Sequence, residues 1–274
     1  MGGLASRILS VYRFQWQETF SKKTWIVWLL MIAVPVGIVI LVDLTAHGNI
    51  ETYLWGFFAT TLIAGVIPGL NLLLWLTPLL SAELEGNTWT FIGVRPSGKL
   101  CMVLGKYLAT VSRAIVSGLL GLLIVILVTN SIADRPETTR LYATIALTVI
   151  LASLAYGCLF AALGVIFHKR AMVFTVSYTL LIEVIVSMLP AVINKLSITY
   201  YLRSIVTRIM DWSPHTPIAE RKLSDVAAAD LLPEMFSPNS TFSDLVDLTV
   251  LCAAFLTVAC VLTIKREYTR HTSE

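Results

Sequence analysis

Ionisable and polar groups are scarce in the apolar stretches of this chain, so those that occur there are the first candidates for chemistry. Glu183 stands in the middle of Leu180-Leu181-Ile182-Glu183-Val184-Ile185-Val186, where a carboxylate is costly unless it is protonated, paired or hydrated. Two roles stay open for it: a Glu hydrogen-bonded between helices, or a group lining a substrate path. Asn71 follows Pro68-Gly69 inside another apolar block, where neighbouring groups must satisfy the carbonyls that a Pro frees. It reads as part of a kink and joins Glu183 as a candidate path residue. Arg113 is placed to snorkel its guanidinium toward the nearer membrane interface. Glu83 and Glu85 fall in a short segment from Ser81 to Pro96 that is acidic first, then apolar through Trp89, Phe91 and Ile92, and is broken at Pro96 and Gly98. Such a segment forms a brief amphipathic helix docked on a soluble partner, with the three apolar residues as anchors, or else a solvated turn.

Other chemistry finds little footing. His47, His168, His215 and His271 lie in loops or the tail, whereas an intramembrane metalloprotease needs H-E-x-x-H on a span and a serine protease needs a His at depth. Cys101, Cys158, Cys252 and Cys260 show no paired or metal-like spacing. No G-x-x-x-x-G-K-[ST] exists to cradle nucleotide phosphates, and the Lys and Arg residues form no patch for nucleic acid. The chain is therefore expected to bind no cofactor or metal and to be no enzyme by itself.

The elements that carry these residues follow from composition. Hydrophobic residues make up 57% and charged residues 14% of the chain, with a mean hydropathy of +0.80; a soluble domain carries about 25% charged residues. The excess falls into blocks of the length that crosses a hydrocarbon core: Trp25 to Leu44, Tyr53 to Leu80, Val103 to Thr129, Leu141 to Phe167, Met172 to Ile193 and Leu245 to Ile264. The expected fold is one all-α integral membrane domain over residues 1–274 with six transmembrane helices. The first block starts late and runs too long for a signal sequence, so it reads as a retained span.

Basic residues at Arg7, Arg13, Lys22, Lys23, Arg95, Lys99, Lys106, Lys169, Arg170, Lys265, Arg266 and Arg270 place both termini in the cytoplasm by the positive-inside rule. Residues 1–24 form an amphipathic helix with Tyr12, Trp16 and Phe20 on its apolar side. It would lie at the membrane surface or pack on a partner subunit. Residues 194–244 form a structured outer loop, which breaks the rule with Lys195, Arg203, Arg208, Arg221 and Lys222. Its stripe of Ile198, Tyr201, Leu202, Ile205, Ile209 and Trp212 predicts an amphipathic helix on the outer membrane surface, capped by turns at Pro214, Pro217, Pro233 and Pro238. Residues 265–274 form a cytoplasmic tail.

Glu83, Asn87-Thr88-Trp89, Pro96, Lys99 and Gly105-Lys106 together resemble the inner loop of the type-2 ATP-binding-cassette (ABC) exporter permeases, and the Asn-Thr-Trp form is similar to the bacitracin and lantibiotic immunity branch. The resemblance implies a pair of six-helix permeases, homo- or heterodimeric, in a bacterial plasma membrane. Each would contact a separate ATPase subunit, which holds ATP and Mg, through the N-terminal region and a coupling loop of Glu83, Glu85, Asn87, Thr88, Trp89 and Pro96. The implied function is export of an amphiphile, a peptide or lipid-like antibiotic. A membrane sensor or immunity factor that signals through the same loop is the alternative.

Overall fold

The computed structural model describes residues 3–20, 24–45, 52–86, 88–95, 97–130, 138–185, 197–212 and 240–266. Every regular element among them is helical. In chain order they are α1 (Leu4–Phe20), α2 (Thr24–Thr45), α3 (Thr52–Thr60), a π segment (Thr61–Val66), α4 (Ile67–Trp75), a 3-10 turn (Thr77–Leu79), α5 (Ser81–Glu85), α6 (Trp89–Val94), α7 (Gly98–Thr129), α8 (Thr138–Ile166), α9 (Ala171–Tyr178), a second π segment (Thr179–Ile185), α10 (Ile198–Ile209) and α11 (Thr241–Lys265).

Five helical stretches are long and apolar enough to cross a membrane: Thr24–Thr45, Leu54–Leu79, Gly98–Thr129, Thr139–Ile166 and Thr241–Lys265. The chain is a multi-pass, all-α membrane protein. The expected span from Met172 to Ile193 is described as far as Ile185, as α9 and the second π segment, and its remainder lies outside the described residues.

Burial explains the arrangement. Helix α8 is the central element, while α2 and α11 turn most of their apolar surface outward, as helices in lipid do because tails solvate Leu as well as a protein core does. Small residues let α8 be approached closely: Ala152, Ala155, Ala161 and Ala162 are buried, and a Cβ on Gly164 would stand 2.4 Å from the Thr77 carbonyl oxygen. One buried cluster, including Leu76, Leu80, Tyr107 and Phe160, fills the end that carries α5 and α6, here the basal end. A second, including Trp55, Ile67, Leu122 and Val149, fills the opposite, apical end. The first π segment has a local cause. Pro68 has no N–H to return to the carbonyl four residues earlier, and the turn before it widens, with Ile67 N–H donating to the Leu62 carbonyl.

Two expected amphipathic helices pack against their own chain. Helix α1 runs along α7 of its own chain, with Val11 and Ile8 against Gly105 and the Tyr12 hydroxyl accepting from Ser112 at 3.3 Å. Tyr12 therefore faces the bundle, because its stripe finds a groove over a glycine; Leu9 and Phe14 form the exposed side. Trp16 stays beside Tyr12, ring centroids 6.3 Å apart, and the Phe20 side chain lies outside the described residues. Helix α10 does not lie on an outer surface. Ile198, Tyr201, Leu202 and Ile205 are buried, and the helix packs against α8 and α11. The turns expected after it lie outside the described residues.

Candidate functional site

Helix α10 begins halfway along α8 and climbs to the apical end. Its start meets Tyr156, its end places the Met210 sulfur 3.5 Å from the Thr144 hydroxyl, and Trp212 lies over Gly56. With 12 residues it covers about 18 Å, roughly half of a bilayer core. A helix that starts at mid-depth presents N–H groups to a medium that cannot hydrate them. Glu183 supplies what is missing. Its carboxylate accepts from Ile198 N–H at 3.1 Å, from Thr199 N–H at 2.9 Å, from the Ser197 hydroxyl at 2.9 Å and from the Thr199 hydroxyl at 2.7 Å. The Tyr156 hydroxyl approaches at 3.3 Å. Each of these five contacts comes from a hydrogen-bond donor, which a carboxylate can accept, and the positive end of the α10 dipole lies against it.

At the apical end α10 is pinned by ion pairs. Arg208 bonds Asp244, which is fully buried at the start of α11, at 2.9 Å. Arg140 on α8 bonds Asp211 at 2.6 Å. These pairs account for part of the basic charge that broke the positive-inside pattern, since Arg208 is matched to an acid in the fold and does not act as a free topological signal.

A cavity of about 390 Å³ opens between α10, α8 and the two π segments. Thr199, Arg203 and Thr207 form a polar stripe along its α10 wall, Glu183 and Tyr156 border its deep end, and Phe57, Leu70 and Leu73 form an apolar wall opposite. Asn71 is not brought to this cavity. It is buried, and its amide donates to the Ile67 carbonyl at 3.0 Å, satisfying backbone beside the Pro68 break. Arg113 does not snorkel. It is 5% exposed and its guanidinium lies 4.4 Å from the Trp75 ring centroid, a cation–π contact inside the bundle.

The second constellation is basal. Glu83 pairs with Lys106 on α7 at 2.5 Å and accepts from the Thr88 hydroxyl, while Lys106 also donates to the Leu79 carbonyl at 3.4 Å. Burial pushes the Glu83 carboxyl upward, but the Lys106 charge and the bonds from Lys106 and Thr88 outweigh it and hold the group below the ordinary value of 4.5. The Lys99 ammonium lies 5.5 Å over the Trp89 ring and donates to the Ile264 carbonyl at 3.4 Å, tying the loop to the last turn of α11. Trp89 is only 8% exposed and belongs to the basal core. The residues that the loop displays outward are Phe91, 73% exposed, and Val94, 86% exposed, with Glu85 also exposed. Asn87 and Pro96 lie outside the described residues.

Sequence reasoning did not single out Ser197, Thr199 and Tyr156 as the partners of Glu183. Ser197 directly before a helical stripe was a helix-start signal, but nothing local says that this start lies beside residue 183. Among the described residues no cluster of His, Cys, Asp and Glu could hold a metal ion. No family model matches the chain, and no curated protein matches it.

Proposed function

We propose that this chain is the membrane-spanning permease subunit of an ATP-driven exporter, in which a separate ATPase, the holder of ATP and Mg, moves the spans by acting on the basal loop. The observation that carries the reading is the construction of that loop. Helices α5 and α6 are clamped to α7 through Glu83 and Lys106 and to α11 through Lys99, yet they display Phe91 and Val94 where an apolar residue gains nothing in water. A rigid lever with an unpartnered apolar tip suits a docking partner that pushes.

The reading places the basal end in the cytoplasm of a bacterial plasma membrane, gives the permease a second copy of itself or a homologue, and makes Phe91 and Val94 the contact in place of Trp89. Glu83 and Thr88 then hold the loop's shape, and Glu85 lies at its rim. The test is to express the chain with the separate ATPase subunit that the proposal requires and purify the complex. Phe91→Ala with Val94→Ala should lose the ATPase while the spans still insert; retention of the ATPase by that double variant would end the proposal. A sensor would dock through the same tip, and substrate-stimulated hydrolysis in the reconstituted complex separates the two.

A further inference from the structure

The basal end carries a second feature, which the transport reading does not use. Lys169 and Arg170 follow the end of α8, and Lys265 and Arg266 close α11. All four are exposed. Among the described residues none of them forms an ion pair; the pairs there use Lys106, Arg140 and Arg208 instead. Glu83, an acid of the basal loop, is taken by Lys106, and the chain beyond α11 stays net basic, as Lys265-Arg266-Glu267-Tyr268-Thr269-Arg270.

The two helix ends lie together. Helices α8 and α11 pack along each other. The first reaches the basal end where Gly164 meets the Thr77 carbonyl, and the second where the Ile264 carbonyl takes the Lys99 ammonium. His168 feels both ends: burial first, then the charges of Lys169 and Arg266, hold its imidazole below the ordinary value of 6.5. Like charges gathered at one level repel one another, so within the chain alone they favour no contact. An anion from outside relieves that repulsion.

The level of the cluster identifies the anion. The apolar stretch of α8 ends at Ile166 and that of α11 at Lys265, so the cations stand where a hydrocarbon core gives way to head groups. Within one helical turn of them, large apolar side chains face outward. Phe167 and Phe174 stack across the turn between α8 and α9, ring centroids 4.2 Å apart, and Val173 and Ile264 are exposed beside them in the chain. A soluble acidic partner would meet the charges and leave these side chains uncovered. A phospholipid meets both, and basic clusters between spans at this depth suit anionic head groups.

We infer that the joined ends of α8 and α11 bind one phospholipid of net negative charge, its phosphate among Lys169, Arg170, Lys265 and Arg266 and its chains along Phe167, Phe174 and Ile264. The assignment does not depend on an ATPase partner.

The test uses the full chain, solubilised in a nonionic detergent, immobilised, and washed with an equal mixture of phosphatidylglycerol and phosphatidylcholine. The lipid retained is extracted and measured by mass spectrometry. Both probes carry a phosphate, but only phosphatidylglycerol is net negative, and wild type should retain it in preference. Lys169→Gln with Arg170→Gln should lower its retention about tenfold, and Lys265→Gln with Arg266→Gln should act likewise, neither pair lowering the melting temperature. Arg13→Gln with Arg95→Gln, which removes two exposed charges elsewhere, should leave retention unchanged. Excess inorganic phosphate in the wash should leave the lipid in place. Equal retention of the two lipids by wild type, or unchanged retention in both site variants, would overturn the assignment. So would equal losses in the site and control variants, because a diffuse field and not a site would then hold the lipid. Full displacement by phosphate would overturn it too, marking the cluster as a site for the free anion.

Discussion

Glu183 accepts the backbone N–H of Thr199 at 2.9 Å across 16 residues of chain, and through that bond the second π segment holds the start of α10 at mid-depth. Carboxylate and helix end answer each other's cost: the charge is offset by the helix dipole, and the dipole's free N–H groups are offset by the charge.

Glu183→Ala should therefore release α10 more than it alters any other element. Each buried N–H left without an acceptor costs about 1–3 kcal/mol, and the variant strands those of Ile198 and Thr199 together. Hydrogen exchange should accelerate across 198–206 and stay slow in α8. Glu183→Gln should show the same pattern, because half of its amide donates toward donors. Protection equal to wild type in both variants would mean that α10 is held from elsewhere.

Arg208 and Asp244 are predicted to be worth more together than apart. Removing Arg208 leaves the fully buried Asp244 carboxylate without its counter-charge; a fully buried pair loses about 3–5 kcal/mol in such a case, and the part-exposed Arg208 should give about 2. Arg208→Met should lower the melting temperature, and adding Asp244→Asn should restore much of the loss. An additive double variant contradicts the pairing.

The basal clamp should respond to acid in a definite direction. Because Glu83 is held below its ordinary value, the stability it contributes is complete above about pH 4.5 and disappears as the pH falls through its lowered folded value. A spin label at Val94→Cys should be less mobile at neutral pH than in acid, whereas in Glu83→Gln it should show the acid-state mobility throughout. Equal mobility in the two backgrounds at neutral pH would remove Glu83 from the clamp.

Topology is open to a direct check. In a background without the native cysteines, cysteine at Asn49 or Asn239 should react with an impermeant thiol reagent from outside intact cells, and cysteine at Val94 should not. Val94 is the better basal site than Gly98, where a Cβ would stand 2.2 Å from the Ile92 carbonyl oxygen. Reaction at Val94 from outside would invert the orientation.

The helices were legible because apolar length is a local property: the blocks starting at Trp25, Val103, Leu141 and Leu245 all became long helices. Their faces were less legible. The stripe on α10 announced an amphipathic helix, but a stripe looks the same whether it is buried by lipid headgroups or by α8 and α11. Trp89 was recognisable as an anchor and not as an anchor into its own chain, because its partner Lys99 and the basal core meet it only once α6 folds back on α7. Arg113 was expected to snorkel because the distance to the interface allowed it; the Trp75 face, which captures it, comes from a different span.

The central claim is that the basal loop receives force from a separate ATPase. Reconstituting the chain with the ABC ATPase that the proposal requires and measuring ATP hydrolysis with and without an added amphiphile tests it most directly. Wild type should show stimulated hydrolysis, Phe91→Ala with Val94→Ala should lose ATPase binding and stimulation together, and Lys106→Met should keep binding while stimulation falls. Full stimulation in both the double variant and Lys106→Met would contradict it.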